Sequence, residues 1–131
     1  MKKILVLLLL MVSTSVFAEW TRVTESADGG YTLYIDYGTI KKKGHKLKVW
    51  NLFDYKTVRI GAANERYLSA LTRFEYDCEE ETERGLDYYW YSRNMRQGEI
   101  VRSITNIKDE TESVMPGSMI ETLFKIACGK K

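Results

Sequence analysis

Histidine occurs once in the 131 residues, at His45, and cysteine twice, at Cys78 and Cys128. That scarcity excludes most site chemistry. A zinc centre ordinarily takes several His or Cys ligands. A nucleophile–histidine pair needs its imidazole held by an acid beside a serine or cysteine. His45 follows Lys41-Lys42-Lys43-Gly44, and this reads as a charged turn carrying a solvated histidine. There is no glycine-rich phosphate loop and no dinucleotide fingerprint. Repeats, linkers and low-complexity tracts are also missing. The sequence therefore predicts no enzyme, no catalytic residue, no cofactor and no metal site.

A strong excess of one charge is lacking too. The 20 basic residues include Lys2 and Lys3, and without them the basic residues equal the 18 acidic ones. Nucleic acid is not an expected partner. With little long-range steering, a charged partner must be met by a local patch.

Long apolar runs are limited to one, Ile4 to Val12. It follows Lys2-Lys3 and precedes Ser13-Thr14-Ser15 and Val16-Phe17-Ala18. A basic start, a short apolar run and a small-residue cleavage site make a secretory signal over residues 1–18. The run falls short of the roughly 20 apolar residues of a membrane span. No cysteine follows Ala18 to carry a lipid, so no membrane anchor is expected. Residues 19–131 are then one exported domain, long enough to bury roughly two-thirds of its unfolded surface.

In an exported chain Cys78 and Cys128 read as a disulfide. Closing a loop of about 50 residues stabilises by roughly 4 kcal/mol in the chain-entropy model. The competing reading is two free thiols or a redox pair, but the spacing is not C-x-x-C.

What is present is mostly strand signal. Trp20–Thr24 and Tyr31–Ile35 flank the turn dipeptide Asp28-Gly29, a hairpin signature. Leu47, Val49, Phe53 and Tyr55 alternate along one face, with Asn51 the polar exception, while Lys46, Lys48, Trp50 and Leu52 take the other. Tyr67 to Cys78 alternates likewise and places Cys78 at the buried end of a strand. Leu86–Tyr91 and Ile100–Ile104 follow, separated by a turn at Asn94–Gly98; Asn106–Ser113 reads as loop. One helix closes the chain. Ser118 and Glu121 form a capping box after Pro116-Gly117, and Ile120, Leu123, Phe124 and Ala127 share a face. Gly129 stops it, and Lys130 and Lys131 complement its negative end. The expected fold is α+β: an antiparallel sheet of about five to six strands against one C-terminal helix, with one disulfide.

Three surface features carry candidate function. Lys41, Lys42, Lys43, His45, Lys46 and Lys48 form a basic patch for a polyanion or acidic partner; such a hairpin equally protects a sheet edge. The aromatic run Tyr88-Tyr89-Trp90-Tyr91 puts rings on both faces. Leu86, Tyr88 and Trp90 lie on one, and Tyr89 and Tyr91 are candidate interface aromatics on the other. The acidic run Glu79-Glu80-Glu81 with Glu83 lacks the glycine-containing spacing of a calcium loop. It reads as solvated loop rather than a pair of catalytic carboxylates.

The ordered landmarks Trp20, Tyr34-Ile35-Asp36, Lys48-Val49-Trp50, Asp54-Tyr55 and Glu75-Tyr76-Asp77-Cys78 continue with Tyr91-Ser92, Met95, Gly98, Pro116-Gly117-Ser118 and Ala127-Cys128. Together they resemble the surface-adhesin protein E-like family of Gram-negative bacteria over about residues 19–129. The resemblance implies a sheet backed by a helix, a bridge between the two cysteines, and a non-enzymatic role in binding host matrix protein or glycan. It also implies a homodimer, which the aromatic strand would suit. The family's namesake is lipid-anchored, and the cleavage site here lacks the lipidated cysteine. A soluble periplasmic accessory protein without host ligand is therefore the alternative function.

Overall fold

A computed structural model describes residues 19–107 and 110–129. The expected signal peptide, and the final Lys130 and Lys131, lie outside the described residues. Its strands are β1 (Thr21–Glu25), β2 (Tyr31–Ile35), β3 (Lys41–Lys43), β4 (Lys46–Ile60), β5 (Arg66–Asp77), β6 (Thr82–Tyr91), β7 (Ile100–Ile104) and β8 (Glu112–Ser113). The helix α1 spans Met119–Ala127. The eight strands form one sheet in the order β1-β2-β4-β5-β6-β7, with β3 on β4 and β8 on β6. Every pairing is antiparallel.

The α+β class stands, but the strand count exceeds the expected five to six. Two short pairings make up the difference. Lys41–Lys43 is strand rather than turn, because each lysine pairs with β4 and only Gly44-His45 turns the chain. Glu112–Ser113, expected as loop, adds to the edge of β6 opposite Thr82 and Glu83. Such short additions carry no alternation long enough to read in a sequence.

Local chemistry accounts for the turns. Asp28 Oδ1 accepts from Gly30 N at 2.9 Å and from Ser26 Oγ at 2.7 Å, while Gly29 takes φ 70°. After β2, Asp36 Oδ1 accepts from Gly38 N, and Thr39 Oγ1 accepts from Trp50 N at 3.1 Å. That Asx-type turn lifts the chain off the sheet so that β3 can pair further along β4.

Alternation on β4 and β5 divides the sheet into two faces. Leu47 lies opposite Tyr76, and Val49 opposite Phe74. Leu47, Val49 and Tyr76 form the larger core cluster with Leu33, Ile35, Leu123 and Phe124, and Phe74 packs against it. Helix α1 supplies the lid of this cluster. Ser118 Oγ accepts from Glu121 N at 3.2 Å, fixing its start, and Leu123 and Phe124 are buried. Each buried side chain of that kind contributes about 1.5–3 kcal/mol. Cys78 and Cys128 are disulfide-bonded with Cα atoms 5.7 Å apart, tying the helix end to the chain just beyond β5. Cys78 is partly buried rather than at a fully buried strand end. The opposite face has its own cluster, Leu52, Leu71 and Tyr91, flanked by Trp20, Tyr34, Trp50, Tyr89 and Met95.

Candidate functional site

Helix α1 covers only the part of its face around Val49 and Tyr76. Beyond its reach the same face is an open groove of about 780 Å³. Small residues between large ones open the hollow. Ala70 stands opposite Phe53 and Trp90, and Gly85 opposite Phe74.

The groove's far end is aromatic. Tyr67 and Trp90 stack with centroids 4.2 Å apart and planes 17° apart. Tyr88 lies 5.6 Å from Trp90, and Tyr55 meets Tyr67 edge-on at 5.7 Å. Two guanidiniums cap the rings: Arg59 over Tyr55 at 4.8 Å and Arg102 over Trp90 at 5.6 Å. Arg102 also bonds Glu65 at 3.1 Å. The Tyr88 hydroxyl and the Glu65 carboxylate together raise the pKa of Arg102. Burial, then the neighbouring Tyr67, pushes the Tyr55 phenol up to about 12. Rings and cations here form one wall, with Arg102 paired to Glu65 and Arg59 lying over the Tyr55 ring.

The near end is acidic. Glu83 on β6 lies directly opposite Glu112 on β8 and, on its other side, opposite Tyr76 on β5. Burial, then the charge of Glu112, raises the pKa of Glu83. Glu110 completes the rim. The Tyr76 hydroxyl and Thr72 Oγ1 are buried and without hydrogen-bond partners among the described residues.

On the opposite face, β3 and β4 bring lysines together. Lys41 pairs with Lys48 and Lys43 with Lys46, whereas Lys42 pairs with Leu47 and points to the helix side. Among the described residues none of Lys41, Lys42, Lys43, Lys46 and Lys48 has a carboxylate within 4.0 Å. Glu75, opposite Lys48, is engaged by Arg84 at 3.0 Å. His45 stands apart from the lysines, with Nε2 3.4 Å from Asp77 and Nδ1 3.4 Å from Glu79. It clips the β3–β4 turn to the segment around Cys78, whose N–H donates to the His45 carbonyl at 2.8 Å.

The remaining sequence candidates are distributed as follows. Tyr91 is 7% exposed and its hydroxyl accepts from Arg96 Nε at 3.0 Å. Tyr89 lies 6.2 Å from Trp50. Both line a hollow of about 510 Å³ with Trp20, Trp50 and Arg96. Glu79, Glu80 and Glu81 are exposed, whereas Glu83 belongs to β6 and the groove. Among the described residues no three His, Cys, Asp or Glu side chains converge as metal ligands, and no helix is long and apolar enough to cross a membrane. Sequence reasoning placed Tyr88 and Trp90 on one face but missed the groove. Alternation placed Tyr55 on its strand's inner face, but Tyr67 is out of phase with Ala70 and Thr72 and joins the groove only in the folded sheet.

An antiparallel sheet with a helix tethered over part of one face leaves hollows open on both of its faces. The family profile of surface-adhesin protein E matches residues 20–129, and the chain belongs to that family. Membership carries the general character of an exported or surface adhesin-like protein. No curated protein matches the sequence significantly. Among solved structures, Haemophilus influenzae protein E is similar in fold, with 14% identity and a TM-score of 0.59 over 82% of this chain and 83% of that one. Protein E from non-typeable Haemophilus influenzae aligns with 15% identity and a TM-score of 0.60, covering 88% and 79% respectively.

Proposed function

We propose that residues 19–131, released from the signal segment 1–18, act outside the cytoplasm as a non-catalytic adhesin-type binding protein. Its ligand is a host matrix protein or glycan that presents anionic groups to the lysine hairpin. The observation that supports this most directly is the unneutralised set Lys41, Lys43, Lys46 and Lys48, held side by side by cross-strand pairing. Like charges placed directly opposite each other destabilise a sheet by about 0.2–1 kcal/mol per pair. An anionic ligand removes that cost. Salt screens such contacts over about 8 Å at physiological ionic strength, so binding should weaken as salt rises.

The test is solid-phase binding to matrix proteins and to heparin at physiological salt, with Lys41, Lys43, Lys46 and Lys48→Ala as the comparison. Retention by the parent and its loss in the variant support the reading; no retention, or equal retention, rejects it. Protease accessibility on intact cells separates surface display from a periplasmic accessory role.

A further inference from the structure

We infer that the uncovered half of the helix-side face is a docking groove for a cationic amphipathic peptide segment. The segment's basic side chain sits against Glu83 and Glu112, and its apolar side chains lie along Tyr55, Tyr67 and Trp90. This surface is on the opposite face from the lysine hairpin and of opposite charge, so it stands independently of the hairpin reading.

Charge fixes the kind of ligand. Glu83 and Glu112 face each other across one strand pair, with Glu110 beside them on the rim. Among the described residues none of the three forms an ion pair. Arg84 also lines the groove, but its guanidinium is committed to Glu75. Directly opposed carboxylates repel, and Glu83 is partly desolvated as well. A single ammonium or guanidinium between them relieves both costs.

Two buried hydroxyls lie beneath this acidic end, one of them outside the groove's lining. Tyr76 is 0% exposed, lies opposite Glu83, and has a hydroxyl with no partner among the described residues. Thr72 Oγ1, in the groove itself, is likewise unpartnered. Native structures leave few such groups unpaired.

The aromatic end sets the orientation. Arg59 and Arg102 already occupy the cation positions over Tyr55 and Trp90. A guest's basic group is therefore turned toward the carboxylates and its apolar groups toward the rings. The groove, about 780 Å³ in volume, lies in the roughly 300–1,000 Å³ range that holds small ligands and a few side chains.

The experiment is fluorescence anisotropy of the mature protein with a labelled, N-acetylated peptide of alternating lysine and leucine. Peptides alternating glutamate with leucine, and lysine with serine, are the controls. The lysine–leucine peptide is expected to bind in a salt-dependent way, and each control about tenfold more weakly or not at all. Glu83→Gln with Glu112→Gln, which keeps side-chain volume and should fold, is expected to weaken binding about tenfold. Lys41, Lys43, Lys46 and Lys48→Ala should leave it unchanged. Trp90→Leu should weaken it without altering the salt dependence. No binding by the parent, or equal binding by the double glutamine variant, overturns the inference. So does a dimer seen by sedimentation and lost in Trp90→Leu, which would assign the groove to a second copy.

Discussion

Gly61, just past the end of β4, lies so close to Trp90 on β6 that a Cβ there would stand 2.5 Å from the indole Cζ3. The same added atom would meet the Glu65 carboxylate at 3.0 Å. Glu65 in turn holds Arg102, which caps the same indole. The hairpin between β4 and β5 is thus seated on the aromatic wall through a residue with no side chain.

Gly61→Ala must displace the indole or the hairpin. The expected cost is about 1–3 kcal/mol, the usual range for overpacking. The Trp90 environment should change with it. Chemical denaturation followed by tryptophan fluorescence checks both; an unchanged midpoint would mean that the indole moves aside freely.

Removing the disulfide should lower stability more than any single surface change. Cys78→Ser with Cys128→Ser opens a loop with a sequence separation of 50. The expected loss is about 2–5 kcal/mol. Tyr76, in edge contact with Phe124 at 5.8 Å, should become more accessible as α1 frays. Thermal unfolding and hydrogen exchange at α1 measure the two effects.

Glu83 gives stability an acid-side gain. Its folded pKa is raised above the ordinary 4.5. Its contribution is therefore fully present below that ordinary value and is lost as pH rises through the folded one. Glu83→Gln should thus be more stable than the parent at neutral pH, by about 0.5 kcal/mol on the scale of opposed like charges. The difference should vanish in acid. Asp77 has the opposite sign: the Glu80 amide leads the interactions that lower its pKa, helped by the Glu79 amide and His45. Its contribution is present above the ordinary value and lost as pH falls through the folded one. Denaturation midpoints of the parent and Glu83→Gln across acid and neutral pH test the crossing.

Elements whose burial follows one clear period were legible in the sequence. The alternation of Leu47, Val49 and Phe53, and of Phe74 and Tyr76, placed β4 and β5 and their inner face. The Ser118–Glu121 cap and the Leu123–Phe124 stripe placed α1. The two cysteines, at the ends of those elements, were legible as a bridge. What escaped notice depends on distant partners. The pairing of Lys41–Lys43 reflects where β4 lies, and that of Glu112 reflects the free edge of β6. Met95 and Arg96, both at positive φ, are held by Asp54 Oδ1 at 2.8 Å and Ser69 Oγ at 3.0 Å. No neighbouring residue announces those bonds. The groove was invisible for the same reason, since Tyr55, Tyr67 and Trp90 meet only once three strands are aligned.

The reach of α1 has a consequence of its own. Its 9 residues run about 14 Å at 1.5 Å per residue. The 12 residues of β5 beneath it run about 40 Å. A lid about a third the length of its floor divides the side chains of that face into two regimes. Those beneath it are clamped by close packing, and exchanging them costs stability. Those beyond its end, Thr72 and Tyr88 among them, line the open groove and lie outside that clamp. The docking inferred above can therefore be retuned on the open stretch while the clamped stretch keeps the molecule folded.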